Sequence, residues 1–148
     1  MNRDMPITDN RFITFHLSGH DFAVPIAVVL EVTSAEKIDE LPGSMKPLEG
    51  LMIYRDNQAL PIFSLIEALG QEHDNSGDLI MVVELDKQIL GFRVDRIGRI
   101  VDGSGNDQYD PEEEVPDINP EAVRGVISEK GLRVVVLRLE KVFVNVLN

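Results

Sequence analysis

The chain has 148 residues, 43% of them hydrophobic, and a formal charge of −12. That length suits one domain, or two small lobes around one core. The composition excludes several classes: there is no cysteine for disulfides, thiolate metal sites or thiol nucleophiles, no apolar run of roughly 18 residues to span a bilayer, and the acidic balance opposes nucleic acid or an anionic membrane surface.

Residues 1–9 carry Arg3 and Asp4 but no apolar stretch of a secretory leader, and read as a flexible N-terminus. Ile13, Phe15 and Leu17 alternate with Thr14, His16 and Ser18, the period of a half-buried strand. Gly19-His20-Asp21 turns the chain, and 22–25 follows as a second short strand. Pro25 then opens one or two helical turns over 26–32. Residues 48–54 and 59–63 pair around the polar turn Arg55-Asp56-Asn57-Gln58. Ser64 with Glu67 forms a capping box before Leu65, Ile66, Ala68 and Leu69, and Gly70 stops that helix. The polar stretch 71–78 divides the chain near its middle. Residues 79–85 form a strongly apolar strand, joined to 89–94 by Asp86-Lys87-Gln88 as in a hairpin. Residues 97–101, 123–128 and 132–139 complete a set of roughly nine or ten short strands, the spacing of barrels and sandwiches.

Residues 102–120 hold seven acids, three prolines and no base, and read as a long surface loop. Asn119-Pro120-Glu121 caps one further turn. Residues 139–147 suit a terminal helix with Leu139, Val142, Phe143 and Val146 on one stripe. No sequence repeat relates the two halves.

Catalytic signatures are missing: there is no Gly-x-Ser-x-Gly, phosphate loop or zinc pattern. His16 and His20 lie across a strand and its turn rather than on one helical face, and read as surface histidines. The many carboxylates show no acid/base spacing. No cofactor and no metal are expected. Asp102, Ser104, Asn106, Asp110 and Glu113 fit ligand positions of a calcium-loop template, but Asp107 stands where the sharp turn wants glycine. The segment therefore reads as a solvated acidic loop. Arg93, Arg96 and Arg99 come closest to a basic cluster and read as a solvated strand face.

Apolar excess is more informative. Nearly every position of Pro25-Ile26-Ala27-Val28-Val29-Leu30-Glu31-Val32 is apolar. Either some of Ala27, Val28 and Leu30 cover a partner, or the turn is buried between two lobes. Met52, Tyr54 and Arg55 pose the same question, because arginine serves both solvated turns and interface centres.

These segments, in their order and spacing, resemble the CheW family over nearly the whole chain. Phe12-Ile13-Thr14-Phe15 through Phe22-Ala23-Val24-Pro25-Ile26, running on to Val29, Glu31 and Val32, is similar to that family's opening. Leu41-Pro42-Gly43 resembles its proline turn, and Gly50-Leu51-Met52-Ile53-Tyr54-Arg55 its Gly-x-Ile-Asn-Leu-Arg hairpin. Pro61-Ile62-Phe63-Ser64-Leu65 resembles the strand after that hairpin, and Leu69-Gly70 the close of the first half. Gly91-Phe92-Arg93-Val94-Asp95-Arg96-Ile97, Val123-Arg124-Gly125-Val126 and the stretch 131–143 resemble the second half. Four departures stand out. Asp56 replaces the glycine after the hairpin arginine, Ser64 an aspartate, and Arg138 an aspartate of the closing strand. Ile53 also replaces the usual asparagine.

The resemblance implies a mostly β fold: two SH3-like five-stranded β-barrel lobes sharing an apolar core, with few short helices. It implies one domain over 10–148, with lobes over roughly 20–75 and 76–137 and terminal segments open to exchange between them. It implies a non-enzymatic, cytoplasmic adaptor. Its partners would be the cytoplasmic tip of methyl-accepting chemoreceptors and the regulatory domain of a CheA-type histidine kinase. By position, Ile26, Val29, Leu30, Met52 and Arg55 would lie near the binding groove. Other readings stay open from the residues: a paralogue in a chemosensory pathway other than chemotaxis, a calcium-regulated module using residues 102–113, or a small β-barrel hydrolase.

Overall fold

The structure, a computed structural model, describes residues 10–35, 38–40, 47–71, 77–103 and 110–147. The first sheet has the order β10-β11-β2-β1-β9. It is built from β1 (Arg11–Leu17), β2 (His20–Pro25), β9 (Arg96–Asp102), β10 (Val123–Glu129) and β11 (Leu132–Leu137). The second has the order β3-β7-β8-β6-β5-β4. Its strands are β3 (Val29–Ser34), β4 (Asp39–Glu40), β5 (Leu48–Ile53), β6 (Ala59–Phe63), β7 (Leu79–Leu85) and β8 (Gln88–Val94). Three short helices complete the described residues: α1 (Leu65–Ala68), α2 (Pro111–Glu114) and α3 (Leu139–Val142). The mostly β expectation holds, in two sheets of which the first has the expected five strands and the second gains β4 as a sixth, two-residue strand.

Sheet membership does not divide at the polar stretch 71–78. β1 and β2 sit with β9–β11, while β7 and β8 sit with β3–β6. The joins are four long-range pairings: two parallel, β11 with β2 through Val135↔Phe22 and β6 with β8 through Ile62↔Gly91, and two antiparallel, β1 with β9 and β3 with β7. β7 explains part of this. Its residues Ile80, Met81, Val82 and Val83 are all buried, so the strand needs cover on both faces and a neighbour on each edge. It finds those neighbours in β3 and β8.

Two helical expectations are corrected. Residues 26–32 form a 3₁₀ turn, Ile26–Val28, and then the strand β3. Val28, Val29 and Val32 are β-branched and favour extended backbone, and burial along β3 alternates with period two. At the C-terminus the α-helix stops at Val142 and the chain continues in turns, with Val146 N–H donating to Phe143 O at 2.9 Å. Val142, Val144 and Val146 weaken helix there for the same reason. The N-cap half of the box is present: Ser64 Oγ accepts from Glu67 N–H at 3.2 Å, while the N–H of Ser64 donates to Pro47 O at 2.7 Å.

The acidic stretch is less of a surface loop than expected. Asp110 caps α2 by accepting from Glu112 N–H at 3.1 Å. Val115 and Ile118 then bury themselves in the main core. Ser104, Asn106 and Asp107 lie outside the described residues, as do Leu41-Pro42-Gly43, His73 and the N-terminal 1–9 segment.

One core joins the sheets. Phe15 and Phe22 come from the first sheet, Phe63 and Phe92 from the second, and Phe143 from the turn after α3. Their rings run in a chain, with centroids at 5.8 Å (Phe22–Phe15), 5.7 Å (Phe15–Phe92), 6.2 Å (Phe92–Phe143) and 5.5 Å (Phe143–Phe63). Smaller clusters lie within each sheet, one around Phe12 and Val101 and the other around Met52, Leu60 and Ile80.

Candidate partner-binding face

The face is built where the ends of the second sheet approach one another. β3 is one edge strand, and β5 lies next to the other edge. Alternation along β3 puts Glu31 and Thr33 on one side and Leu30 and Val32 on the other. At the end of β5 the chain turns tightly. Tyr54 N–H donates to Gln58 O at 2.7 Å and Gln58 N–H to Arg55 O at 3.1 Å. Asp56 (φ 57°) and Asn57 (φ 59°) both take left-handed backbone in this turn. Aspartate and asparagine tolerate that region better than most residues, which is how the chain accommodates Asp56 at a position where the resemblance implies glycine.

The turn delivers Arg55 to Glu31. The two form an ion pair in which the arginine side chain stays 68% exposed and the glutamate 29%. The guanidinium also lies over the Tyr54 ring, 5.5 Å from its centroid. Around them is an open groove of about 450 Å³, lined by Thr33, Asp39, Met52 and Ile53 as well as Glu31, Tyr54 and Arg55. Met52 is buried on the cluster beneath, whereas Ile53 is 63% exposed. Tyr54 Oη is shielded from solvent. Burial, then the Glu31 carboxylate, push its phenol above the ordinary value, and Arg55 partly opposes them. A fixed cation on an apolar floor, with an exposed aliphatic side chain at the rim, is equipped for docking a protein surface.

Of the five residues singled out in the sequence, Met52 and Arg55 come together in this groove, and Ile26, Val29 and Leu30 do not line it. Ile26 opens the 3₁₀ turn and is half-buried, Val29 packs on the main core, and Leu30 is 41% exposed on the other side of β3. Sequence reasoning passed over Glu31 and Ile53 as site residues, and raised Tyr54 beside Met52 and Arg55 without placing it in the groove. The signal for Glu31 was available, since it is the one charged residue in the apolar run 22–32. Reading that run as helix hid the face it would occupy.

Other candidates resolve locally. His16 Nδ1 lies 3.1 Å from Asp21 Oδ1, and the His20 ring packs 5.9 Å from that of Phe22. Among the described residues no three histidine or acidic side chains gather as a metal site. Arg93 is not on a solvated strand face. It donates to Glu49 Oε1 and to Gly77 O, both at 2.9 Å, with only 23% of its side chain exposed. No helix of the described residues is long and apolar enough to cross a membrane.

Comparison with known proteins accounts for this fold. The CheW-like domain matches residues 11–146. A chemotaxis protein CheW of Treponema pallidum (strain Nichols) is 25% identical over 147 residues, covering 94% of this chain and 86% of the relative. A chemotaxis protein CheW of Helicobacter pylori is 27% identical over 134 residues, covering 89% and 80%. The crystal structure of the scaffolding protein TtCheW from Thermoanaerobacter tengcongensis superposes with a TM-score of 0.77 at 21% identity, over 92% of this chain and 93% of that one. The fold is thus shared with a solved scaffold, and with its domain matched almost end to end the chain belongs to the CheW-like family of non-enzymatic chemotaxis adaptors.

Proposed function

We propose that the protein works in the cytoplasm, linking the hairpin tip of chemoreceptors to the regulatory domain of a CheA-type histidine kinase. The reading extends to its surface: Arg55 and Met52 contact one partner, while Ile26 in the 3₁₀ turn and Val29 and Leu30 on β3 belong to the neighbouring contact. The observation that carries this is the Glu31–Arg55 pair. It presents an exposed cation in fixed position beside exposed Ile53. An isolated surface pair of this kind adds about 0–1 kcal/mol to folding, so stability gives little reason for it, whereas recognition does.

Titration calorimetry against the kinase regulatory domain from the same cell tests the proposal. Saturable one-to-one binding is expected, weak because such interfaces are small. Arg55→Glu should weaken it by roughly tenfold or more, as reversal of an interface charge does, with the melting temperature nearly unchanged. Unaltered affinity in the folded variant would remove Arg55 from the interface.

A further inference from the structure

A second groove, of about 500 Å³, opens where the Ile26–Val28 turn, the β7–β8 hairpin and the segment after α3 meet. It shares no lining residue with the Arg55 face. Its apolar walls are Val28, Leu85, Val144 and Leu147. Val144 is 48% exposed although the turns on either side of it are anchored. Phe143, the preceding residue, is buried in the core. Leu147 is fastened through its backbone, with its N–H donating to Phe143 O at 3.2 Å and its carbonyl accepting from Gln88 Nε2 at 2.6 Å. The groove is therefore preformed by fixed elements, which lowers the ordering cost of binding.

Its charges have one sign. Glu84, Asp86 and Glu140 line the groove and are all exposed, and no lining residue is a cation. Lys87 and Lys141 follow two of these acids in sequence and are exposed, but lie outside the lining. A neutral or acidic occupant would strip water from three carboxylates without pairing them, which is unfavourable. A cationic occupant pairs them, and the net charge of −12 draws it in.

We propose that this groove docks a basic, apolar segment of a partner protein. Bulky aliphatic side chains of that segment sit against Val28, Val144 and Leu147. Its flanking lysines or arginines reach Glu84, Asp86 and Glu140. The contact is separate from the Arg55 face, so one copy of the protein can hold this segment while that face is occupied.

The test uses a short amidated peptide of leucine and lysine with its leucines on one helical face. A control keeps the lysines and replaces leucine by serine. Binding is followed by methyl NMR of the full chain. The leucine peptide should bind roughly tenfold tighter than the serine control and shift Val28, Val144 and Leu147. Its affinity should fall about tenfold in Val144→Asp and in the Glu84→Gln/Glu140→Gln double variant. Both change exposed positions, so the fold is retained. Equal binding of the serine control, unchanged affinity of both variants, or shifts confined to residues around Arg55 would overturn the proposal. So would a concentration-dependent dimer of the free protein that Val144→Asp abolishes, which would give the groove to a second copy. Kinase-domain binding, measured in the same variants, reports on the Arg55 face independently.

Discussion

Two residues show how far single positions determine this site. Asp56 stands at φ 57°, ψ 34°, a conformation that glycine adopts freely and an L-residue with a Cβ does not. Asp56→Gly should therefore leave the protein as stable or raise its stability by up to about 1 kcal/mol, and Asp56→Val should lower it by about 1–2 kcal/mol. Urea denaturation measures both. Tyr54 gives a pH signature. Its phenol is held neutral above the ordinary value of 10.0, first by burial and then by Glu31. The sign follows: the contribution is fully present below pH 10.0 and is lost as pH rises through the raised folded value. Ultraviolet titration of tyrosinate should show one late-ionising tyrosine, absent in Tyr54→Phe. Glu31→Gln should move it down, though not to the ordinary value, because burial remains.

At the scale of elements, sequence patterns were legible wherever a strand had one buried face or a turn had its own chemistry. The apolar run 79–85 became β7 residue for residue, and Asp86 and Lys87 supply the positive φ that a tight hairpin needs. The Ser64–Glu67 box and the Asn119 cap were readable for the same local reason. Residues 26–32 were not, because continuous apolar sequence fits a buried helix and an edge strand equally well. Arg93 misled in a related way. Its clustering with Arg96 and Arg99 along one strand suggested a solvated face, but its partner Glu49 is 44 residues away, brought close by β6 lying between β5 and β8. Arg93→Met should cost about 1–3 kcal/mol by leaving Glu49 and the Gly77 carbonyl without this donor. Adding Glu49→Gln should recover part of that loss, which a double-mutant cycle in denaturant would measure.

For the whole molecule, strand order was the illegible part. The polar stretch 71–78 marked a break, but a break does not say which sheet the following strand joins. The long-range pairings decide that, β1 with β9, β2 with β11, β3 with β7 and β6 with β8, and they depend on contacts between distant segments. The consequence is a core owned by neither sheet. Phe92 touches Phe15 of the first sheet and Phe143 after α3. Phe92→Ala should cost about 3–5 kcal/mol, and the sheets should melt together, with fluorescence and circular dichroism transitions coinciding. Separate transitions would contradict a shared core. The candidate groove was half legible: Met52 and Arg55, which line it, were singled out in the sequence, but Glu31 required the strand that brings it across the sheet.

An adaptor with no chemistry of its own acts by holding two partners at once, so the most direct measurement is kinase output. Autophosphorylation of the CheA-type kinase would be followed in receptor-bearing membranes, with and without this protein, as receptor ligand is added. The account predicts ligand-dependent kinase activity only when the protein is present, and its loss with Arg55→Glu. Ligand control that is the same with and without the protein, in membranes where it is folded and bound, would contradict it.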